Sequence, residues 1–196
     1  MRQGIRNLPS GKNPMANRFQ PIPAVGYRRL VLVIVAALVA FTLAGCASEP
    51  PKLTKADKVV VKKSERKLQL IQDGAVLREY KIALGDRPKG HKMREGDERT
   101  PEGDYILDWR NPNSRFHKSI HVSYPNTRDV RFARFLGASP GGMIMIHGQP
   151  NHIRSEKVKA EYKRRDWTDG CIAVQNHEMD EIWSTVRNGT PIKILP

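Results

Sequence analysis

The chain has 196 residues, with 34 Lys and Arg against 20 Asp and Glu, and a formal net charge of +14. Six of the basic residues and none of the acidic residues precede Cys46, so the 151 residues from Cys46 onward carry 28 − 20 = +8. That length predicts one domain with a single core and gives no reason to expect a second one.

The first 45 residues have the form of an export signal. Arg28 and Arg29 precede an uncharged apolar run over residues 30–43. A basic segment followed by about 7–15 apolar residues is typical of a secretory signal, and is too short to remain as a membrane-spanning helix. The run ends in Leu43-Ala44-Gly45-Cys46, which resembles the lipobox of bacterial lipoproteins. This resemblance implies cleavage before Cys46 and attachment of lipid to that cysteine; the alternatives are an ordinary signal peptide or a retained anchor.

The predicted organisation is therefore a signal peptide over 1–45, a flexible tether over 46–57 and a domain over 58–196. The prolines and polar residues of the tether discourage packing. The domain is expected on the periplasmic side of the cell envelope, anchored through lipid to the membrane. Because Ala47 follows Cys46, the resemblance to bacterial lipoproteins favours the outer membrane, and Met15 is an alternative start of translation. Positive charge suits anionic wall polymers or lipid heads, whereas a compartment outside the cytoplasm argues against nucleic acid as a partner.

Strands dominate the predicted domain. Residues 67–71 alternate between polar and apolar, Asp73-Gly74 is typical of a tight hairpin turn, and 76–84 is the predicted partner strand. The pattern also predicts a loop over 85–103 and further strands over 59–61, 105–108, 143–146 and 190–195, the last with Pro191 at its edge.

Two segments have helical character. Asn176 is a predicted N-cap for a helix over 177–186, whose apolar residues recur at spacings of three and four. The strongly charged segment 155–165 predicts either a helix or an ordered loop.

Cys171 is a thiol without a disulfide partner in an exported chain, because the other cysteine is the predicted lipid site. A thiol becomes an effective nucleophile when an adjacent imidazolium or aligned backbone N–H groups lower its pKa. We expect His147, at the end of a buried strand, to be that partner. The N–H groups of Gly170 and Cys171 are expected to point at the oxygen of an attacked carbonyl.

Two segments carry a family resemblance. His147-Gly148 and Thr168-Asp169-Gly170-Cys171-Ile172 resemble the signature of the YkuD-type L,D-transpeptidases, in which a histidine-glycine is followed at a distance by Ser or Thr, any residue, Gly-Cys and an apolar residue. The hairpin at Asp73-Gly74 and the segment Thr100-Pro101-Glu102-Gly103 are similar to the family's N-terminal strands and its threonine-proline-x-glycine turn. The resemblance covers residues 58–196.

The resemblance implies a mainly β fold, a mixed β-sandwich with one or two short helices. It also implies a peptidoglycan transferase in which Cys171 attacks a stem tetrapeptide, releases D-alanine and passes the acyl group to an amine. That amine belongs to another stem peptide, forming a 3-3 cross-link, or to an outer-membrane lipoprotein. His147 acts as general base and acid; Thr168, Asp169, Gly170, Gly148 and Trp167 line the oxyanion and substrate site. The resemblance implies no cofactor and no metal. It does imply that carbapenems acylate Cys171.

Three departures from the family pattern leave the acceptor open. Ala173 stands where many relatives carry an arginine, Asp169 replaces a common histidine, and the gap from His147 to Cys171 contains the basic stretch 157–165. The stretch is a candidate lid whose cations meet carboxylates of the stem peptide, with a solvated surface as the alternative. Asp166 and Asp169 are candidates to orient His147. The alternative functions are a thiol hydrolase on the same fold and a catalytically inactive wall-binding lipoprotein.

Overall fold

A computed structural model describes residues 55–196. The predicted signal peptide, Cys46 and most of the tether lie outside these residues. Eight strands and three helices are present in the described part of the chain: β1 (Lys58–Lys62), β2 (Lys67–Gln72), β3 (Ala75–Lys81), β4 (Gly103–Ser114), β5 (His117–Val122), α1 (Thr127–Phe135), β6 (Met145–His147), α2 (Glu156–Tyr162), β7 (Ile172–Ala173), α3 (Asn176–Thr185) and β8 (Thr190–Leu195). None of the three helices is long and apolar enough to cross a membrane.

The N-terminal hairpin forms as predicted. Asp73 and Gly74 have φ angles of 50° and 79°, the two consecutive positive values that a tight turn between twisted strands requires. Strand β2 pairs with β3 on one side and with β1 on the other, antiparallel in both cases. Alternate residues of β1 and β2 are buried, among them Val59, Leu68 and Leu70.

The strands form one mixed sheet with the order β3-β2-β1-β8-β4-β5-β6-β7. The sheet curls, because the segment that leaves β3 at one end forms a bridge to β7 at the other end, with Ala83 opposite Ala173. The N–H of each alanine donates to the carbonyl of the other, at 2.9 and 2.8 Å. This closure brings the segment before the loop 85–103 against the strand that follows Cys171.

The mainly β prediction is confirmed, and two of its details change. The strands form a single curled sheet with three helices, where one or two were expected. The C-terminal strand β8 lies between β1 and β4, so it is central. Pro191 fits there because it is the second residue of β8, and the pairing with β1 begins only at Ile192.

The helices α2 and α3 fall in the two predicted helical segments, but the start of α3 differs. Gln175 is its N-cap, and its N–H donates to the Glu178 carboxylate at 2.8 Å. Asn176, the predicted cap, is the first helical residue. Met179 and Ile182 of α3 are fully buried against the sheet, as their spacing predicted.

The loop 85–103 is irregular, as predicted, and a buried lysine anchors it. Lys63 is 2% exposed, and its ammonium donates to the carbonyl of Thr100 at 2.9 Å, to the Glu102 carboxylate at 2.7 Å and to the carbonyl of Gly90. Burial lowers the pKa of Lys63, and the Glu102 carboxylate opposes that shift. One cation therefore ties two parts of the loop, at Gly90 and at Thr100–Glu102, to the turn that follows β1.

Replacing Lys63 by methionine is expected to lower the free energy of unfolding by about 2–3 kcal/mol, because it removes charged hydrogen bonds and leaves a buried carbonyl without its donor. Urea denaturation would measure the change. Lys62→Met is the matched control, since that neighbouring ammonium is partly exposed and its ion pair with Glu65, at 3.6 Å, lies on the surface. Equal losses in the two variants would contradict the anchoring role of Lys63.

Candidate active site

A cleft of about 400 Å³ brings together most of the residues that the sequence singled out. Cys171, His147, Trp167, Thr168 and Asp169 all line it. The cleft is completed by side chains from β4, β5, the β4–β5 turn and the start of β6: Trp109, Asn111, Asn113, Ser114, Arg115, Phe116, Ser119, Met143 and Met145.

Two neighbouring parallel strands position the thiol and the imidazole. Ile146 of β6 lies opposite Ile172 of β7, so Cys171 lies opposite Met145 and two residues before the level of His147. Ile146 and Ile172 are fully buried in the core, and alternation directs Met145, His147 and Cys171 to the cleft side. The Cα atoms of Cys171 and His147 are therefore offset by roughly 6.6 Å along the strands and by roughly 4.8 Å across them.

The orientation of the His147 ring is fixed by its neighbour in sequence. Nδ1 lies 2.6 Å from the carbonyl oxygen of Gly148, so Nδ1 carries the proton and Nε2 keeps its lone pair. Phe116 and Trp167 contact the ring, with centroids at 4.6 and 5.6 Å. Burial, only partly offset by this hydrogen bond, lowers the pKa of His147 to about 4, and the ring is therefore neutral at pH 7.

The Cys171 thiol is half-buried beside two backbone groups of the segment leading into β6. Sγ accepts from the N–H of Met145 at 3.4 Å and donates to the carbonyl of Met143 at 3.6 Å. Burial raises the pKa of Cys171 to about 11; the Met145 N–H opposes that shift and the Asp169 carboxylate adds to it. With these pKa values the imidazole is unprotonated at pH 7, so no imidazolium lowers the pKa of Cys171.

A tight turn presents Cys171. Gly170 has φ of +123°, and a Cβ on it would lie 2.5 Å from the carbonyl oxygen of Arg99. Thr100 donates its hydroxyl to the Gly170 carbonyl at 2.9 Å, and the Thr168 hydroxyl donates to the Cys171 carbonyl at 2.8 Å. The threonine-proline-x-glycine turn therefore supports the cysteine from behind.

The prediction that the Gly170 N–H points at an attacked carbonyl is wrong. That N–H donates to the Thr168 hydroxyl at 3.2 Å, inside the turn. Gly148 supports the site through its backbone and does not line the cleft. Its N–H donates to the carbonyl of Phe116 at 3.0 Å, and a Cβ on it would lie 2.7 Å from the Asn176 side-chain oxygen.

Neither aspartate orients His147. Asp166 binds Arg66, with Nη2 and Oδ2 2.7 Å apart, and accepts the N–H of Leu84 at 2.9 Å. Asp169 is exposed at the cleft. The orienting role belongs to the Gly148 carbonyl, a backbone group that a search for side chains does not consider.

The basic stretch does not line the cleft. Helix α2 lies behind Trp167, where Tyr162 packs on the indole with centroids 4.9 Å apart. Lys163 reaches Glu178 of α3 at 3.7 Å, while Arg164 and Arg165 are exposed. Arg115, which the sequence did not single out, is the one lysine or arginine among the described residues that line the cleft.

The L,D-transpeptidase catalytic domain family, YkuD, has a model that matches residues 56–194. The chain belongs to this family. It is 34% identical over 131 residues to the Escherichia coli K12 protein described as "Putative L,D-transpeptidase YafK", covering 63% of this chain and 44% of the relative. A protein of the same description from E. coli O157:H7 matches with the same figures.

Among solved structures, the helical cell shape determining protein Pgp2 from Campylobacter jejuni is 28% identical, with a TM-score of 0.50. The match covers 70% of this chain and 46% of Pgp2. The chain therefore spans somewhat less than half the length of these relatives.

The position where many members of the L,D-transpeptidase family carry an arginine is enclosed in this chain. Ala173 is 3% exposed and forms the bridge to Ala83.

No group of three or more His, Cys, Asp or Glu side chains in residues 55–196 is arranged to hold a metal.

Proposed function

We propose that the protein is a peptidoglycan L,D-transpeptidase that forms a thioester between Cys171 and a stem tetrapeptide. The observation that carries this proposal is the shared cleft, in which a thiol and an imidazole with a free Nε2 lone pair are held by rigid backbone. Both groups are neutral, so the thiol proton moves to Nε2 as the C–S bond forms.

Cys171 and His147 are sufficient for every bond change and proton transfer of the proposed reaction. Sγ attacks the carbonyl carbon of the third stem residue, diaminopimelate, and the bond from that carbon to the D-alanine nitrogen breaks. His147 returns the thiol proton to the leaving amine. An acceptor amine then attacks the thioester, its proton passes through His147 to the departing sulfur, and Cys171 is restored. Of the two N–H groups first considered for the oxyanion, that of Cys171 remains the candidate, because Gly170 donates within the turn.

The acceptor separates this proposal from its alternative. An amine from a second stem gives a 3-3 cross-link, and an amine from an envelope lipoprotein gives an anchored protein. Water gives hydrolysis, as a carboxypeptidase or as an amidase that releases a wall-linked lipoprotein. Attachment through Cys46 to the outer membrane is part of the proposal and rests on the leader sequence alone.

The test incubates the purified full-length chain with disaccharide tetrapeptide and follows protein and products by mass. We expect an adduct of the disaccharide tripeptide on the wild-type protein, release of D-alanine, and a cross-linked dimer. A shortened monomer without dimer would assign the hydrolase. Cys171→Ala is expected to show neither adduct nor product; turnover by that variant, or its complete absence from the wild type, would overturn the thioester proposal.

A further inference from the structure

The cleft beside the thiol carries one positive and one negative side chain, and neither has a charged partner within the part of the chain that the structure describes. Arg115 and Asp169 are the one Lys or Arg and the one Asp or Glu among the described residues that line it, and both are exposed. Within residues 55–196, neither forms an ion pair with the other or with a third charged residue. Opposite charges that share a cleft without meeting each other are suited to a ligand that carries both signs.

The backbone that carries Arg115 is held firmly. Arg115 lies in the turn between β4 and β5, and its carbonyl accepts the N–H of Asn151 at 3.0 Å. The Asn151 side chain donates to the Ser114 carbonyl at 3.0 Å and accepts the His117 N–H at 2.8 Å. Three hydrogen bonds from one asparagine therefore fix the turn relative to the segment that follows His147, so the guanidinium is carried by a rigid part of the site.

We propose that Arg115 and Asp169 form a subsite for the zwitterionic end of an amino-acid side chain. In the stem peptide that end is the free ammonium and carboxylate of diaminopimelate, so the inference rests on the proposed function. Arg115 binds the carboxylate through paired N–H donors, and Asp169 binds the ammonium. The apolar side chains of Met143, Phe116 and Trp109 in the same cleft suit the methylene groups that separate this zwitterionic end from the peptide backbone.

The subsite accounts for the departure at Ala173. Ala173 is 3% exposed, so a longer side chain such as arginine there would require its neighbours to move. The cation comes instead from the β4–β5 turn, on a different part of the chain. Sequence comparison at the cysteine alone therefore misses it.

The test measures binding in the full-length Cys171→Ala variant, where no turnover consumes the ligand. Two tetrapeptide stems are compared by calorimetry, one with diaminopimelate and one with lysine, which keeps the ammonium and lacks the carboxylate. We expect Arg115→Gln to raise the Kd for the diaminopimelate stem about 10- to 100-fold and to leave the Kd for the lysine stem unchanged. Arg115→Lys is expected to restore part of the preference, since it keeps the charge without the paired donors.

Two further variants complete the test. Asp169→Asn is expected to weaken both stems but not a diaminopimelate stem acetylated on its side-chain nitrogen. Arg164→Gln is the matched control and is expected to leave every Kd unchanged, because Arg164 is exposed outside the cleft. Equal affinity of the parent for the two stems, or an equal loss for both in Arg115→Gln, would overturn the subsite. These outcomes do not depend on turnover: a wild-type protein without activity contradicts the proposed function, whereas the Kd ratio decides the role of Arg115.

Discussion

Replacing His147 by glutamine is expected to lower kcat about a thousandfold with little change in KM. The glutamine amide keeps a donor for the Gly148 carbonyl, but no nitrogen of glutamine accepts the thiol proton. Steady-state kinetics with a stem tetrapeptide would measure the change, and circular dichroism would show that the fold is retained. A kcat within about threefold of the wild-type value would exclude His147 as the general base.

The pH dependence follows from the same two groups. His147, with a pKa of about 4, is the free base above about pH 5, and Cys171, with a pKa of about 11, stays a thiol up to about pH 10. We therefore expect kcat/KM to be level between these limits and to fall below about pH 4, where His147 is protonated. A thiolate–imidazolium pair would behave differently, because its activity would decline as the imidazolium titrates.

Alkylation by iodoacetamide distinguishes the two states without substrate. With a neutral thiol, we expect slow alkylation of Cys171 at pH 7 and a rate that keeps rising up to about pH 11. A plateau that begins below pH 6 would show a preformed thiolate and would contradict the neutral pair.

The second large effect is expected from Gly170→Ala, which combines backbone strain with a clash. A Cβ at this position meets the Arg99 carbonyl oxygen at 2.5 Å and the Ile144 side chain at 3.4 Å, with φ at +123°. Strain of about 1–3 kcal/mol and overpacking of about 1–3 kcal/mol together lower the free energy of unfolding by about 2–6 kcal/mol. Turnover is expected to disappear, because the turn that presents Cys171 has to move.

Gly189→Ala is the matched control. Gly189 also has a positive φ, +90°, but a Cβ there has no neighbour within 4 Å, so only the backbone cost of about 1–2 kcal/mol remains. Urea denaturation and activity of both variants separate strain from the clash. If both variants lost the same stability, the close approach of Arg99 to Gly170 would not be what requires glycine.

Local patterns predicted the N-terminal hairpin, the loop after it and the strand that ends at His147, because each depends on alternation or on turn residues within a few positions. The same reasoning missed α1. Its exposed face carries Phe132 and Phe135 among arginines, so the usual separation of apolar and polar sides is obscured. The capping pair Asn126 and Asp129 was the available signal.

At the candidate active site, too, the sequence predicted some residues and missed others. Cys171 and His147 stood out because their residue types carry chemistry, and a motif connected them across the sequence. Arg115, the Asn151 hydrogen bonds and the Gly148 carbonyl became visible only in three dimensions. The first two depend on contacts between residues distant in sequence, and the third is a backbone group, so pattern reading along the chain does not report them.

That curl also has a consequence for self-association. Strand β7 is last in the sheet order and only two residues long, yet its outer side is occupied by Ala83, so it offers no open row of amides to a foreign strand. The free edge strand of the sheet is β3, which carries the charged residues Arg78, Glu79 and Lys81. A second molecule is thus discouraged from adding a strand at either end, and Cys171 lies at the protected one.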